Sequence, residues 1–319
     1  MNVKDLKSGD HLEGMQLLIN DLKSCVSNAG KRYFNMTLQD YTGKIDAKKW
    51  EILPGDEDVF VIGNVVSFSG EVNLYNNGLQ LKVLSGEIIP SSQIDITRFV
   101  QNAPEETKSL QAELRSFVNS IEDHDLHLIV ASLLNDNKNA YLTYPAAARN
   151  HHAYGSGLLY HSVCMSRLAS EIAKLYPTLN RDLLISGTIL HDLGKVKELS
   201  GAVATQYTTE GKLIGHLVIA SEMIDEKAKE LGINSEQIIL LKHMMLSHHG
   251  KLEYGAAKLP ETKEALALSM IDDFDAKMEI LRIAYEDVKP GEWTSRILAL
   301  DGRNFYNSYF VNQQKKDER

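Results

Sequence analysis

The chain has no surplus of positive charge: 34 lysines and arginines stand against 43 aspartates and glutamates, a formal net charge of -9. This excludes a broad cationic face for coating duplex DNA and confines any nucleic-acid contact to a local groove. Cysteine is nearly absent. Cys25 and Cys164 lie far apart, in neither a disulfide-framework nor a zinc-knuckle spacing, which suits a reducing compartment, so a cytoplasmic location is expected. No stretch approaches the ~18 uncharged residues of a membrane span. The opening MNVKDLKSGDHLEG lacks an apolar signal core, so neither secretion nor a membrane partner is expected. Internal repeats and low-complexity tracts are also missing. What is present, 319 residues of which 43% are hydrophobic and 24% charged, reads as two globular domains.

The character changes near residue 90. From Gly14 to Ile89, short runs of Val, Ile, Leu and aromatics alternate with turn signals at Asn28-Ala-Gly30, Asp40-Tyr-Thr-Gly43, Pro54-Gly55-Asp56 and Asn76-Asn-Gly78. About five strands are expected. Asn76-Asn-Gly78, between Val72-Asn-Leu-Tyr75 and Leu79-Gln-Leu-Lys-Val83, is a strong hairpin cue. A small closed antiparallel barrel over 1-90 is the economical fold. Residues 91-104, with Ser91, Ser92 and Pro104, read as a linker.

Helical periodicity takes over from Glu105, with amphipathic segments at roughly 105-136, 158-176, 181-193, 215-231, 235-249 and 260-287, so 105-319 is expected to be an all-α domain with a solvated tail. Asn180 precedes one helix, and Asn234 with Gln237 has capping-box spacing before another. Gly194, Gly232 and Gly250 fall where helices should stop.

Seven candidate metal ligands sit on that helical half in a fixed order: His161, His191-Asp192, His216, His248-His249 and Asp272. One His-Asp pair would mean little. Imidazoles and carboxylates recurring at helix ends and inner faces are what one or two divalent metals require. The helix ending at Ile189-Leu190 points carbonyl dipoles at His191-Asp192, which favours a cation there. Adjacent residues on a helix diverge by about 100 degrees, so such a pair can serve two metals. Asp272 sits among apolar neighbours, where an unpartnered carboxylate is expensive and a metal would satisfy it.

The stretch YFNMTLQDYTGKIDAKKWE resembles the middle strands of an OB-fold that binds single-stranded nucleic acid. That resemblance implies aromatics for base stacking and a cationic track for phosphates, with Tyr33, Phe34 and Trp50 as candidate RNA contacts. Segment 1-90 carries nine basic and twelve acidic residues; only 21-50, with six and three, is mildly positive. The order H, HD, H, HH, D resembles the HD-domain superfamily of metal-dependent phosphohydrolases. HHAYGSGLLYH, GTILHDLGKVKELSG, TTEGKLIGHL, LSHHGKLEYG and DDFDAKMEI resemble the YhaM family, bacterial 3'-5' exoribonucleases joining an OB-fold to an HD domain, and the likeness spans nearly the whole chain.

The resemblance implies His161, His191 and Asp272 on a first metal, His216, His248 and His249 on a second, and catalytic Asp192 between them, with Asp273 and Asp275 as alternatives to Asp272. Manganese is the expected ion, with cobalt or another borderline divalent ion as substitute, since imidazole mixes with carboxylate and thiolate is absent. Two such cations activate a water and stabilise the attacking and leaving oxygens of a phosphodiester. Lys195 is placed to hold a non-bridging phosphate oxygen, and Arg149 and His152 are candidates for the same contact. The expected activity is 3'-5' hydrolysis of single-stranded RNA to nucleoside 5'-monophosphates, with single-stranded DNA and homo-oligomerisation left open. Two other readings stand beside it: a phosphohydrolase of free nucleotides or cyclic dinucleotides, and a DNA-binding replication or repair accessory with a structural metal.

Overall fold

In a computed structural model, which describes residues 1–76, 78–147, 154–286 and 288–310, five strands close into a barrel. They are β1 (His11–Val26), β2 (Arg32–Asp40), β3 (Gly43–Lys49), β4 (Val65–Tyr75) and β5 (Gly78–Ile88). Their order is β1-β2-β3-β5-β4, with β4 returning to β1, so no edge stays open. All pairs are antiparallel except β3 with β5. β4 and β5 pair as the expected hairpin, with Tyr75 opposite Gly78. Register shifts within β1 bend this long strand so that it pairs with both β2 and β4. One face of each strand fills the barrel with Leu17, Ile19, Met36, Leu38, Ala47, Phe68 and Leu81, all at most 2% exposed. A short helix, α1 (Asp56–Val59), links β3 to β4.

The connector is more structured than its composition suggests. It makes two 3-10 turns, at Ser91–Gln93 and Ile96–Arg98. It also contributes Phe99 to a small apolar cluster with Leu18 and Val65 from the outer surface of the barrel.

The helical part begins with α2 (Thr107–Asn119), α3 (His124–Asp136) and α4 (Lys138–Thr143). The single helix expected over 105-136 is therefore broken. The Asp123 carboxylate caps α3 by accepting from the Leu126 amide at 3.0 Å, and the Ser120 hydroxyl donates to the Phe117 carbonyl, so both residues compete with helix continuation. There follow α5 (Gly157–Leu175), α6 (Arg181–Leu190), α7 (Lys195–Glu198), α8 (Thr209–Leu213), α9 (His216–Leu231), α10 (Glu236–Ser247) and α11 (Lys263–Ala284). Asn180 caps α6 through its side chain. The expected capping box before α10 is not formed: the cap is Ser235, and Gln237 reaches instead to Asp123.

The centre of the bundle is α6, buried from Leu183 to Leu190 and packed against α5, α10 and α11. Of the three expected stop glycines, Gly232 and Gly250 take left-handed φ of 70 and 73 degrees, whereas Gly194 is right-handed. Its reason is space: a Cβ on Gly194 would lie 2.1 Å from the His216 carbonyl oxygen. The chain after α6 thus lies directly against the start of α9, which brings two ligand segments together.

Candidate metal centre

The seven side chains singled out in the sequence converge at one end of the bundle. His161 comes from the inner face of α5, His191 and Asp192 from the end of α6, and His216 opens α9. His248 and His249 follow α10, and Asp272 lies on α11. Asp192, 2% exposed, lies at the middle. Its Oδ2 faces His191 Nε2 at 3.2 Å and His161 Nε2 at 3.9 Å, while its Oδ1 faces His216 Nε2 at 3.4 Å and His248 Nε2 at 3.8 Å. One carboxylate thus looks at two imidazole groups, one oxygen to each. The ligand atoms of His161, His191 and Asp192 form one compact set, and those of His216, His248 and His249 another. Asp272 Oδ1 joins the first at 3.2 Å from His161 Nε2.

Every imidazole is held by its other nitrogen. Nδ1–H donates to the Thr188 carbonyl from His191, to the Met245 carbonyl from His248 and to the Tyr254 carbonyl from His249. His161 donates to Asp275 at 2.7 Å and His216 to Glu198 at 3.0 Å. This aims each Nε2 into the cluster and raises its basicity. The Nε2 atoms then face one another, 3.2 Å apart for His161 with His191 and 3.3 Å for His216 with His249. Two bare lone pairs at that separation repel, so a proton or a metal cation belongs between them. Neighbouring ligands about 3.0–3.4 Å apart are what metal–nitrogen bonds of about 2.1 Å impose. His248 Nε2 is buried with no hydrogen-bond partner among the described residues, a costly state that a cation would relieve. The donor set, five imidazoles and two carboxylates without thiolate, fits a hard-to-borderline divalent ion.

The electrostatics follow from burial and opposite charges. Burial would raise the Asp192 carboxyl, but the Lys195 ammonium and the surrounding histidines hold it well below the usual range. Asp272 is lowered in the same way by its histidine neighbours, His161 foremost, against the effect of burial. Burial alone would lower His161; hydrogen bonds to Asp272 and Asp275 overcome this and push it up to about 10. Burial keeps His248 well below, and His249 below, the ordinary imidazole value. The carboxylates are therefore ionised, and His248 and His249 neutral, at neutral pH.

Lys195, in the first turn of α7, places its ammonium 2.6 Å from Asp192 Oδ2 and lines a cleft of about 220 Å³ with Asp192, His248, His249, Tyr254 and Asp272. The alternatives to Asp272 are occupied elsewhere: Asp273 pairs with Lys277, and Asp275 holds His161 from behind. Glu198 escaped the reading of the sequence altogether. Its only signal there is that it follows His191-Asp192 by less than two helical turns; in the structure it is buried and grips both the ring and the backbone amide of His216. Arg149 and His152 lie outside the described residues.

On the barrel, Tyr33 and Trp50 stack at 4.6 Å, and Trp50 is 47% exposed. Lys48 lies over both rings and over Tyr75. Phe34 is a correction: it is 3% exposed and packs against the barrel interior, because strand alternation turns it inward when Tyr33 turns out, so it offers no stacking face.

A family model described as the HD domain matches residues 158–277, and one described as an OB-fold nucleic acid binding domain matches residues 18–89. The 3'-5' exoribonuclease YhaM of Halalkalibacterium halodurans is 44% identical over 305 residues, covering 95% of this chain and 94% of that protein. The proteins of the same name from Geobacillus sp. and Shouchella clausii are 43% and 42% identical, covering 92% and 97% of this chain and 91% and 97% of their own lengths.

Proposed function

The chain belongs to the YhaM family of 3'-5' exoribonucleases and is a metal-dependent phosphodiester hydrolase, and from this premise we propose that it shortens single-stranded RNA from the 3' end, releasing nucleoside 5'-monophosphates. The observation that carries the reading is Asp192, whose two oxygens face two separate imidazole groups. Two divalent cations, manganese by preference, would be held by His161, His191 and Asp272 on one side and His216, His248 and His249 on the other, with Asp192 shared. When bound they supply Lewis-acid activation of water and charge neutralisation at the phosphate.

The chain's own groups do the rest. Lys195, fixed on Asp192 and opening to the cleft, holds a non-bridging oxygen of the scissile phosphate and compensates charge as the leaving 3'-oxygen departs. Asp275 and Glu198 keep His161 and His216 aimed. The cleft, about 220 Å³, admits a terminal nucleotide better than a duplex, which favours single strands. Tyr33 and Trp50 on the barrel supply stacking faces that read few base edges, so trimming proceeds without sequence preference. A candidate phosphate contact through Arg149 and His152 stays part of the proposal. Single-stranded DNA is a second substrate to be tested beside RNA.

The test is a time course on 5'-end-labelled single-stranded RNA with manganese, wild type beside Asp192→Ala, resolving shortened oligomers and mononucleotides. A 3'-shortening ladder with 5'-monophosphate product, absent in the variant, supports the reading. Intact RNA at measured metal occupancy overturns it.

A further inference from the structure

A second cavity, of about 310 Å³, opens between α2, α3 and α4 and shares no residue with the metal cluster. Its volume is at the lower end of the range for small-molecule sites, about 300–1,000 Å³, room for one nucleotide-sized molecule and not for a strand. Its wall is apolar, with Leu114, Val118, Leu134 and Leu142 beside the ring of Tyr141. The two charged residues lining it, Arg115 and Lys138, are both basic, in a chain where acids outnumber bases 43 to 34. Neither pairs with a carboxylate among the described residues. Side-chain amides of Gln111, Asn119 and Asn135 add donors and acceptors at the same rim.

An apolar wall, amides able to pair a base edge and two unpaired cations together suit an aromatic base carrying a phosphate. Tyr141 ties this cavity to the metal centre. It is 1% exposed, and its hydroxyl donates to the Ile189 carbonyl at 2.8 Å, in the last turn of α6 and two residues before His191. Whatever presses on the Tyr141 ring acts on the end of the helix that aims His191 and Asp192.

We propose that this cavity is a regulatory site for a nucleoside 5'-monophosphate, whose binding slows turnover through Tyr141 and α6. This rests on the exonuclease reading, which makes that molecule the product. A product site outside the catalytic cleft lets accumulated mononucleotide restrain trimming even when RNA fills the active site.

The experiment measures shortening of 5'-labelled single-stranded RNA, at saturating RNA, as AMP is titrated into the manganese-loaded protein. Wild type is compared with the double substitution Arg115→Glu, Lys138→Glu and with Ala131→Phe, which fills the cavity and leaves its charges in place. Without AMP all three proteins shorten RNA equally. With AMP the wild type slows by about fivefold or more, in the range of ordinary allosteric coupling, and both variants hold their rate. Equal slowing of all three proteins would place AMP in the catalytic cleft and overturn the proposal. Equilibrium dialysis with labelled AMP gives a readout free of turnover: wild type binds one more molecule per chain than either variant, and equal stoichiometry overturns the site. Binding at the cavity without slowing overturns the regulatory role. Failure of every protein to shorten RNA before AMP is added would instead sink the exonuclease reading, with the dialysis still deciding the cavity.

Discussion

His161 and His248 face the same carboxylate, Asp192, and are driven in opposite directions by what surrounds them. His161 has two carboxylates, Asp272 and Asp275, against its ring nitrogens, whereas His248 is buried with its Nε2 unpartnered among the described residues. With His248 and His249 depressed below the unfolded imidazole value of about 6.5, their contribution to stability is present above that value and is lost as pH falls below it through their own lowered values. With His161 raised to about 10, its contribution is present below about 6.5 and is lost as pH rises toward 10. The chelator-treated protein should therefore lose melting temperature on both sides of neutrality, and thermal unfolding across pH 5 to 10 checks it; a flat acid limb would count against a neutral His248. Bound metal should flatten the alkaline limb and steepen the acid one, because occupied Nε2 atoms carry no proton in the folded protein while the unfolded imidazoles still take one up below about 6.5. The carboxylates behind the ligands give a sharper expectation. Asp275→Asn and Glu198→Gln should each weaken metal binding or turnover by about 10–100-fold, with the folded state kept, as measured by metal titration followed by circular dichroism.

Gly194 shows how one backbone position sets two helices. It lies between the end of α6 and α7, with a would-be Cβ 2.1 Å from the His216 carbonyl and under 3 Å from two further backbone atoms of that residue. Backbone cannot swing aside as the end of a flexible side chain can. Gly194→Ala should destabilise the protein by about 1–3 kcal/mol through overpacking and displace His216 from Asp192. Denaturant unfolding reads the first effect, and metal stoichiometry the second. Gly187, where the nearest atom is the mobile Cε of Met244, should tolerate the same substitution better. The break between α2 and α3 works in the same local way: Asp123→Ala should cost about 1 kcal/mol as a lost cap, readable in the same unfolding curve.

The barrel and the helical part divide the work between holding a strand and cutting it. The stacked pair Tyr33 and Trp50 lies on the barrel and the metal ligands in the bundle, so the two functions should separate in kinetics. Trp50→Ala and Tyr33→Ala should weaken RNA binding by about 1–3 kcal/mol for each stacked base lost. That appears as a raised KM with kcat unchanged; an equal fall in kcat would argue against a role in strand holding. Phe34→Ala should instead lower stability by about 3–5 kcal/mol through a cavity in the barrel, which separates the neighbouring aromatics by phenotype. Because the chain as a whole is acidic, affinity for RNA should fall with salt less steeply than for a protein that neutralises many phosphates.

Residue order along the chain already determined much of this. The alternation of apolar residues and the Asn-Asn-Gly turn dictate a barrel, because period-two patterning and turn chemistry act over a few neighbouring residues. The recurrence of His and Asp at helix ends marks a metal centre for the same reason: helix periodicity and helix ends are local. Tertiary structure alone decided what depends on contacts between distant segments. It separated Asp272, facing His161 Nε2, from Asp275 behind the same ring and Asp273 on a lysine. It brought Glu198 to His216, made Gly194 a point of close approach, and turned Phe34 inward while Tyr33 stayed at the surface. Three aspartates within four residues of one helix look alike in sequence; only packing of α11 against α5 tells which carboxylate reaches which nitrogen.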